Sequence, residues 1–233
     1  MFQLPSNARV HREFPLKAVL KNIQADKKAA EDAKNVDKVF VEYVFNEKTT
    51  NMKVKRIKEI HIYRIELMDY RVPELFIYQL DKKEAFQVVF ILTCDGMEID
   101  LTSPKGLDNT TSMKYATSQW RKEGDEVKLP NTDSLDEFYC FLYGSFSDYK
   151  SFKGEELEDY IHRSNELKKL DYQISKTEKA IQFERQTKKR LEYNHNLNEY
   201  KRRKEELLDP RRLENGKIIE SVKGYLAGEH RED

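Results

Sequence analysis

The sequence predicts an α+β fold: a small mixed or antiparallel sheet with flanking helices, followed by a long C-terminal coiled-coil helix. Three observations carry this. Between residues 36 and 102, short runs of β-branched and aromatic residues alternate with polar ones. Residues 86–94, FQVVFILTC, are the most apolar segment and read as a central strand. From Glu155 to Leu208 the chain has neither proline nor glycine and is dense in Lys, Arg, Glu, Leu and Tyr. Unbroken, at ~1.5 Å per residue, that run would reach on the order of 80 Å. The expected organisation is an α+β domain over 1–150, a coiled-coil helix over 151–209, and a short helix with a polar tail over 210–233.

The elements follow in chain order. Pro15 precedes Leu16, Val19, Leu20 and Ile23, the stripe of a helix that starts at proline and continues to about Lys34. Val39, Val41, Tyr43 and Phe45 alternate with Lys38 and Glu42, which is strand chemistry. In residues 55–67, Ile60 and Ile62 fall on one face, while Ile57, Tyr63, Ile65 and Leu67 fall on the other, so this strand belongs inside a sheet. Pro73 opens a helix through Leu75, Ile77 and Leu80. Asp95-Gly96 is a hairpin turn signal, and Met97 to Thr102 reads as the returning strand. Residues 114–120 read as a last edge strand. Ser134-Leu135-Asp136-Glu137 is a capping box ahead of a helix carrying Phe138, Phe141, Leu142 and Phe146.

In the long helix, Leu167, Leu170, Ile174, Thr177 and Ile181 follow the 3,4 spacing of a heptad seam. The register then breaks, because Glu184 and Lys188 take the next two seam positions. Tyr193, Leu197, Tyr200 and Leu207 form a second, offset seam. The reading is a continuous helix with a discontinuity; the alternative is a turn near residues 193–198, where asparagine weakens helix propensity. Asp209-Pro210 ends the helix. A small amphipathic helix with Ile218, Ile219, Val222, Tyr225 and Leu226 follows an Asn215-Gly216 turn.

Composition narrows the function classes. The 233 residues are 38% hydrophobic and 36% charged, with 42 basic and 42 acidic residues. One real core fits this length. Thirteen Tyr and twelve Phe argue against disorder, and the neutral balance argues against autonomous DNA binding, which carries a basic excess. Cys94 and Cys140 read as buried thiols of a reducing compartment. No apolar run has signal-peptide or membrane-spanning length, so the expected location is cytoplasmic, with no membrane partner.

No constellation of residues stands out as catalytic. A metal-dependent nuclease needs carboxylates from adjacent strands, usually with a lysine that orients water. The candidates are Glu59 and Glu66 on one strand, with Glu98 and Asp100 two residues apart on another. The carboxylate-x-lysine pairing is missing from both strands; Asp81-Lys82-Lys83 has those letters at a helix end. His61 shares a face with Glu59, and the other histidines lack ligand spacing, so neither a metal site nor a cofactor is expected. On the long helix, Arg190, Lys201 and Lys204 fall roughly on one side and are candidates for phosphate contact, although Glu192, Glu199, Glu205 and Glu206 interleave with them.

Several segments occur together in a known order. They are the opening MFQLP, Pro15-Leu16-Lys17, IKEIHIYRIEL (57–67), FQVVFIL (86–92), the Trp120 segment, and EKAIQFERQTKKRLEYN (178–194) with Gln182-Phe183 and Asn194. In this the chain, from residue 1 to about 208, resembles a family of uncharacterised bacterial proteins that carry a domain of unknown function. Its members are often encoded beside DNA methyltransferases and helicase-like restriction subunits in defence loci. Where that resemblance leads one to expect a lysine after the IEL strand, this chain has Met68-Asp69, which weakens the nuclease reading further. The family brings no catalytic residues with it. The resemblance implies a non-catalytic accessory or assembly subunit of a restriction-modification or phage-defence system. Its arm would dock onto itself or onto a helicase or methyltransferase subunit through Leu167, Leu170, Ile174, Ile181, Leu191, Leu197 and Tyr200. The alternatives are a metal-dependent nuclease on the globular domain and a nucleic-acid sensor on the basic side of the arm.

Overall fold

The computed structural model describes residues 6–105, 115–124, 132–152, 154–210, 213–214 and 217–218. The chain divides into two compact units, Met1–Lys150 and Ser151–Asp233.

The first unit is a mixed sheet with helices. Among the described residues its strands are β1 (Arg9–Phe14), β2 (Val36–Phe45), β3 (Ile60–Leu67), β4 (Gln87–Cys94), β5 (Met97–Thr102), β6 (Ala116–Thr117) and β7 (Arg121–Lys122). The spatial order is β1-β2-β3-β4-β5-β6, with β7 also paired to β5. Only β3 and β4 run parallel. A parallel pair needs a crossover connection, and the helix α3 (Glu74–Lys83) supplies it. β4 is buried at all eight positions, as its unbroken apolar run predicts for a central strand. The turn into β5 places Asp95 at φ 47° and Gly96 at φ 74°, the two left-handed residues that a two-residue hairpin loop demands.

One sheet face packs Tyr63, Ile65, Phe90 and Leu92 against Val19, Phe76, Ile77 and Leu80 from the helices before and after β2 and β3. The other face carries Phe45, Ile60, Ile62, Val89 and Ile91, all buried. Here α4 (Leu135–Phe146) packs, with the Phe138 ring 4.9 Å from that of Phe45 and the Tyr139 hydroxyl donating to the Ser103 carbonyl at 2.5 Å. Ser134 caps α4 by accepting from the Glu137 backbone N–H, while Glu137 reaches back to the N–H of Asp133 rather than to that of Ser134. Cys94 and Cys140 are free and buried.

Besides the edge strand expected over residues 114–120, which is the two short strands β6 and β7 with residues 118–120 between them, two points need correction in this unit. The helix predicted from Pro15 to about Lys34 is two helices, α1 (Leu16–Asn22) and α2 (Lys27–Asp32), followed by a 3-10 turn over Ala33–Asn35. Gln24 adopts φ 53°, the Ala25 N–H bonds to the Leu20 carbonyl, and the Gln24 N–H bonds to the Lys21 carbonyl. That is a Schellman ending built without glycine. Asp26 then restarts the helix by accepting from the Ala29 N–H at 2.8 Å. The second correction is β1, which no periodicity announced because five of its six residues are exposed.

In the second unit the continuous coiled-coil helix is also corrected. It is two helices, α5 (Leu157–Phe183) and α6 (Thr187–Leu208), joined by Glu184, Arg185 and Gln186 and packed on each other as an antiparallel hairpin. The chain turns about ten residues before the alternative point near 193–198. Glu184 and Gln186 are extended, and the Glu184 carboxylate accepts from the Gln186 N–H at 2.8 Å. A polar side chain thus makes a turn that neither glycine nor proline marks. The register break at Glu184 was its only local trace. Buried Glu155, ahead of α5, and Arg163, in its second turn, form a two-pronged pair at 2.6 and 2.7 Å, and the guanidinium lies 3.8 Å over the Phe152 ring. Beyond the hairpin, β8 (Leu213–Glu214) pairs with β9 (Lys217–Ile218). Ile218 is thus in a strand, and the rest of the small amphipathic helix expected there lies outside the described residues.

Truncating the centre of the sheet with Leu92→Ala removes a fully buried side chain. It should lower the unfolding free energy by about 2–5 kcal/mol in a urea titration.

Candidate functional site

The strongest concentration of buried charge in the first unit is on the sheet face that also packs α4. Residues two apart on a strand share a face, so Glu98 and Asp100 emerge side by side from β5, and both are fully buried. Arg121, opposite Glu98 in the β5–β7 pairing, meets both carboxylates. Its Nε donates to Glu98 Oε1 at 3.0 Å, and its Nη2 pairs with Asp100 Oδ2. Ser118 completes the cluster. Its Oγ accepts from the Asp100 N–H at 2.9 Å, and its own N–H donates to the Asp100 carbonyl at 2.8 Å. Burial pushes the Asp100 carboxyl up from its ordinary 3.8 to about 6, against the opposing pull of Arg121.

The four carboxylates proposed from the sequence do not converge. Glu66 and Glu98 are both in register with Thr93 from opposite sides, so two inter-strand spacings, about 10 Å, separate their backbones. Glu66 pairs instead with Lys38 at 3.5 Å and Arg64 at 3.3 Å. Glu59 lies on the other face of the sheet, held by His61 and, at 2.9 Å, by Asn46. Among the described residues, no group of three or more His, Cys, Asp or Glu side chains is arranged to hold a metal ion. Asp81, the carboxylate of the Asp-x-Lys letters, is buried at the end of α3. There it accepts from Ser103 at 2.7 Å, Tyr115 at 2.8 Å and Lys105 at 3.0 Å. Its duty is to tie down the chain that follows β5.

Two features of this face escaped the sequence. Arg121 sits on a two-residue strand, too short to show alternation. Glu42 reads as an outward residue of β2, yet it is buried at a bulge, with Arg9 Nε at 3.2 Å and His11 Nδ1 at 2.7 Å.

The hairpin holds the remaining candidates. Leu167 and Leu170 are buried, and Ile174, Ile181, Leu197 and Tyr200 are half-buried where α5 and α6 pack. The offset seam of α6 is therefore the partner of the α5 seam within one chain. Leu191 stands outside it, exposed. Lys201 pairs with Glu178 at 2.9 Å and Lys204 pairs with Asp171, both across the hairpin. These two lysines are cross-helix ties. They do not join Arg190, which is exposed near the turn, in one free basic side.

A mixed sheet whose buried carboxylates are held by arginine, together with a self-closed helical hairpin, defines two units, an α+β domain and a helical hairpin. The chain belongs to the family of the domain of unknown function DUF4391, whose sequence model matches residues 2–203. No curated protein matches it, and no solved structure does. No helix among the described residues is long and apolar enough to cross a membrane.

Two outcomes check the buried cluster. Arg121→Ala strands two carboxylates and should cost about 3–5 kcal/mol of stability in denaturant titration. Between about pH 4 and pH 6 the folded chain keeps a proton on Asp100 that the unfolded chain has released, so stability from this group falls as pH rises. The advantage of the wild type over Asp100→Asn should shrink across that window, by up to roughly 3 kcal/mol. An advantage that grows with pH would mean that Arg121 holds the ionised form instead.

Proposed function

We propose that this chain is a non-catalytic accessory or assembly subunit of a bacterial DNA restriction-modification or phage-defence system, working in the cytoplasm through its helical arm. One observation carries the reading. Leu191, a large apolar side chain on α6, is 65% exposed on a hairpin whose own seam is already closed. Such a residue offers apolar area that a partner can cover, stabilising a contact by roughly 1.5–3 kcal/mol. Leu191 is the one position of the seven expected in partner contact that the hairpin leaves outward, and it becomes the protein-facing residue of α6. The partner is a helicase-like or DNA methyltransferase subunit, in keeping with the resemblance drawn from the sequence. The nuclease alternative has less support, because Glu98 and Asp100 are committed to Arg121 and lie apart from Glu59 and Glu66.

The test is co-expression of the full chain with the helicase-like and methyltransferase subunits encoded beside it, followed by gel filtration with light scattering. The wild type should co-elute with one of them. Leu191→Asp, at an exposed site, should keep its circular dichroism spectrum and lose the complex. Co-elution that survives Leu191→Asp, or a wild type that never co-elutes, counts against the proposal.

A further inference from the structure

The outer face of α5 carries a second pattern. At 100° per residue, Tyr172, Lys176, Lys179 and Phe183 fall within an arc of about 60°, and all four are exposed. Ile174, Thr177 and Ile181 of the seam lie on the opposite side of the helix, so this stripe points away from α6. Between Tyr172 and Phe183 no carboxylate shares it, and Glu158, at the same angle, lies four turns nearer the start of the helix. Glu166, Asp171 and Glu178 are each displaced by about 100° or more, and the last two are tied to Lys204 and Lys201. Past Phe183 the turn and the start of α6 add Arg185, Lys188, Lys189 and Arg190, all exposed. Among the described residues no ion pair engages these six cations. The neutral total of the chain thus conceals a local excess of base along this stripe and the turn, while Glu192, Glu199 and Glu205 are exposed farther along α6.

We propose that this stripe and the basic turn form a binding track for single-stranded nucleic acid. Cations spaced along a helix match a phosphate backbone. Two aromatic rings that flank Lys176 and Lys179, about 16 Å apart along the axis, offer platforms on which unpaired bases stack. A duplex hides its base faces and could use the charges but not the rings, and an acidic protein surface or an anionic membrane would not need the alternation. The inference rests on the reading of the hairpin as the working arm and names what its other face touches, since Leu191 does not belong to this stripe.

The experiment is fluorescence anisotropy of the full chain with a labelled mixed-sequence 20-nucleotide DNA strand, the same sequence as RNA, and the DNA duplex, at 50 and 200 mM KCl. A phosphatidylserine vesicle sedimentation assay runs beside it. Salt-sensitive binding that favours a single strand over the duplex is expected. Lys176→Glu with Lys179→Glu should weaken it at least ten-fold and flatten its salt dependence. Tyr172→Ala with Phe183→Ala should weaken it by about ten-fold or more and leave the salt slope in place. These four sites are exposed, so the circular dichroism spectra should not change. No binding at 50 mM KCl, equal preference for duplex or vesicles, or indifference to both double variants overturns the proposal. Leu191→Asp separates the two readings, because it should lose the subunit complex and keep the strand. A wild type that co-elutes with its subunit but ignores both strands sinks this inference alone, and the reverse result sinks the subunit reading alone.

Discussion

A strand buried at every position obliges the chain to cover two faces, and the first unit is organised around that demand. β4 supplies the central strand, and its parallel partner β3 requires a crossover, so α3 lies on the face it shares with Val19, Phe76 and Leu80. The opposite face needs another cover, and α4 brings Phe138 and Tyr139 to it. Burying one leucine-sized side chain stabilises by roughly 1.5–3 kcal/mol, and β4 alone contributes five apolar side chains from Val88 to Leu92.

The second organising rule is that charge goes inside only in company. Glu98 and Asp100 share Arg121, Asp81 has Lys105, and Glu155 has Arg163. Each pairing costs desolvation, which close geometry and extra hydrogen bonds must offset. Phe152 shows how that is done in the second unit, where its ring stacks under Arg163 and its N–H donates to Glu155 at 2.8 Å. These pairings also limit chemistry. A carboxylate occupied by a guanidinium is poorly placed to hold a cation or take a proton from water, and the scattered acids of the sheet belong to separate pairs. The proposed function therefore rests on the hairpin.

There the same rule acts in the open and divides the surface. Asp171 and Glu178 pair with Lys204 and Lys201 between the helices, so from Tyr172 to Phe183 acid is drawn toward the packed side of α5 and the far side is left with lysine and aromatic residues. A charge-balanced sequence thereby acquires a face of one sign, and Leu191 a separate apolar outlet on α6. The two proposals for this arm use these two surfaces, and they are compatible in one subunit.

The sequence by itself determined the elements whose burial follows a short period: β2, β3 and β4 by alternation or continuous apolarity, the Asp95-Gly96 turn by its left-handed residues, α3 by its leading proline and α4 by Ser134. Each of those signals is local, because a neighbour within four residues supplies the partner. Membership of the DUF4391 family was foreshadowed in the same way, through ordered segments and not through a chemical motif. Tertiary structure alone decided the rest. Gln24 and the residues from Glu184 to Gln186 break or reverse helices without glycine or proline, so no residue type marks the turns that short-range hydrogen bonds close. Arg121 became the partner of Glu98 and Asp100 only through strand register, twenty or more residues away. Lys201 and Lys204 became ties and not a binding surface because α6 folded back on α5. The spacing of residues records which faces of an element are apolar, whereas the pairing of charges records which distant elements meet, and that is settled only by packing.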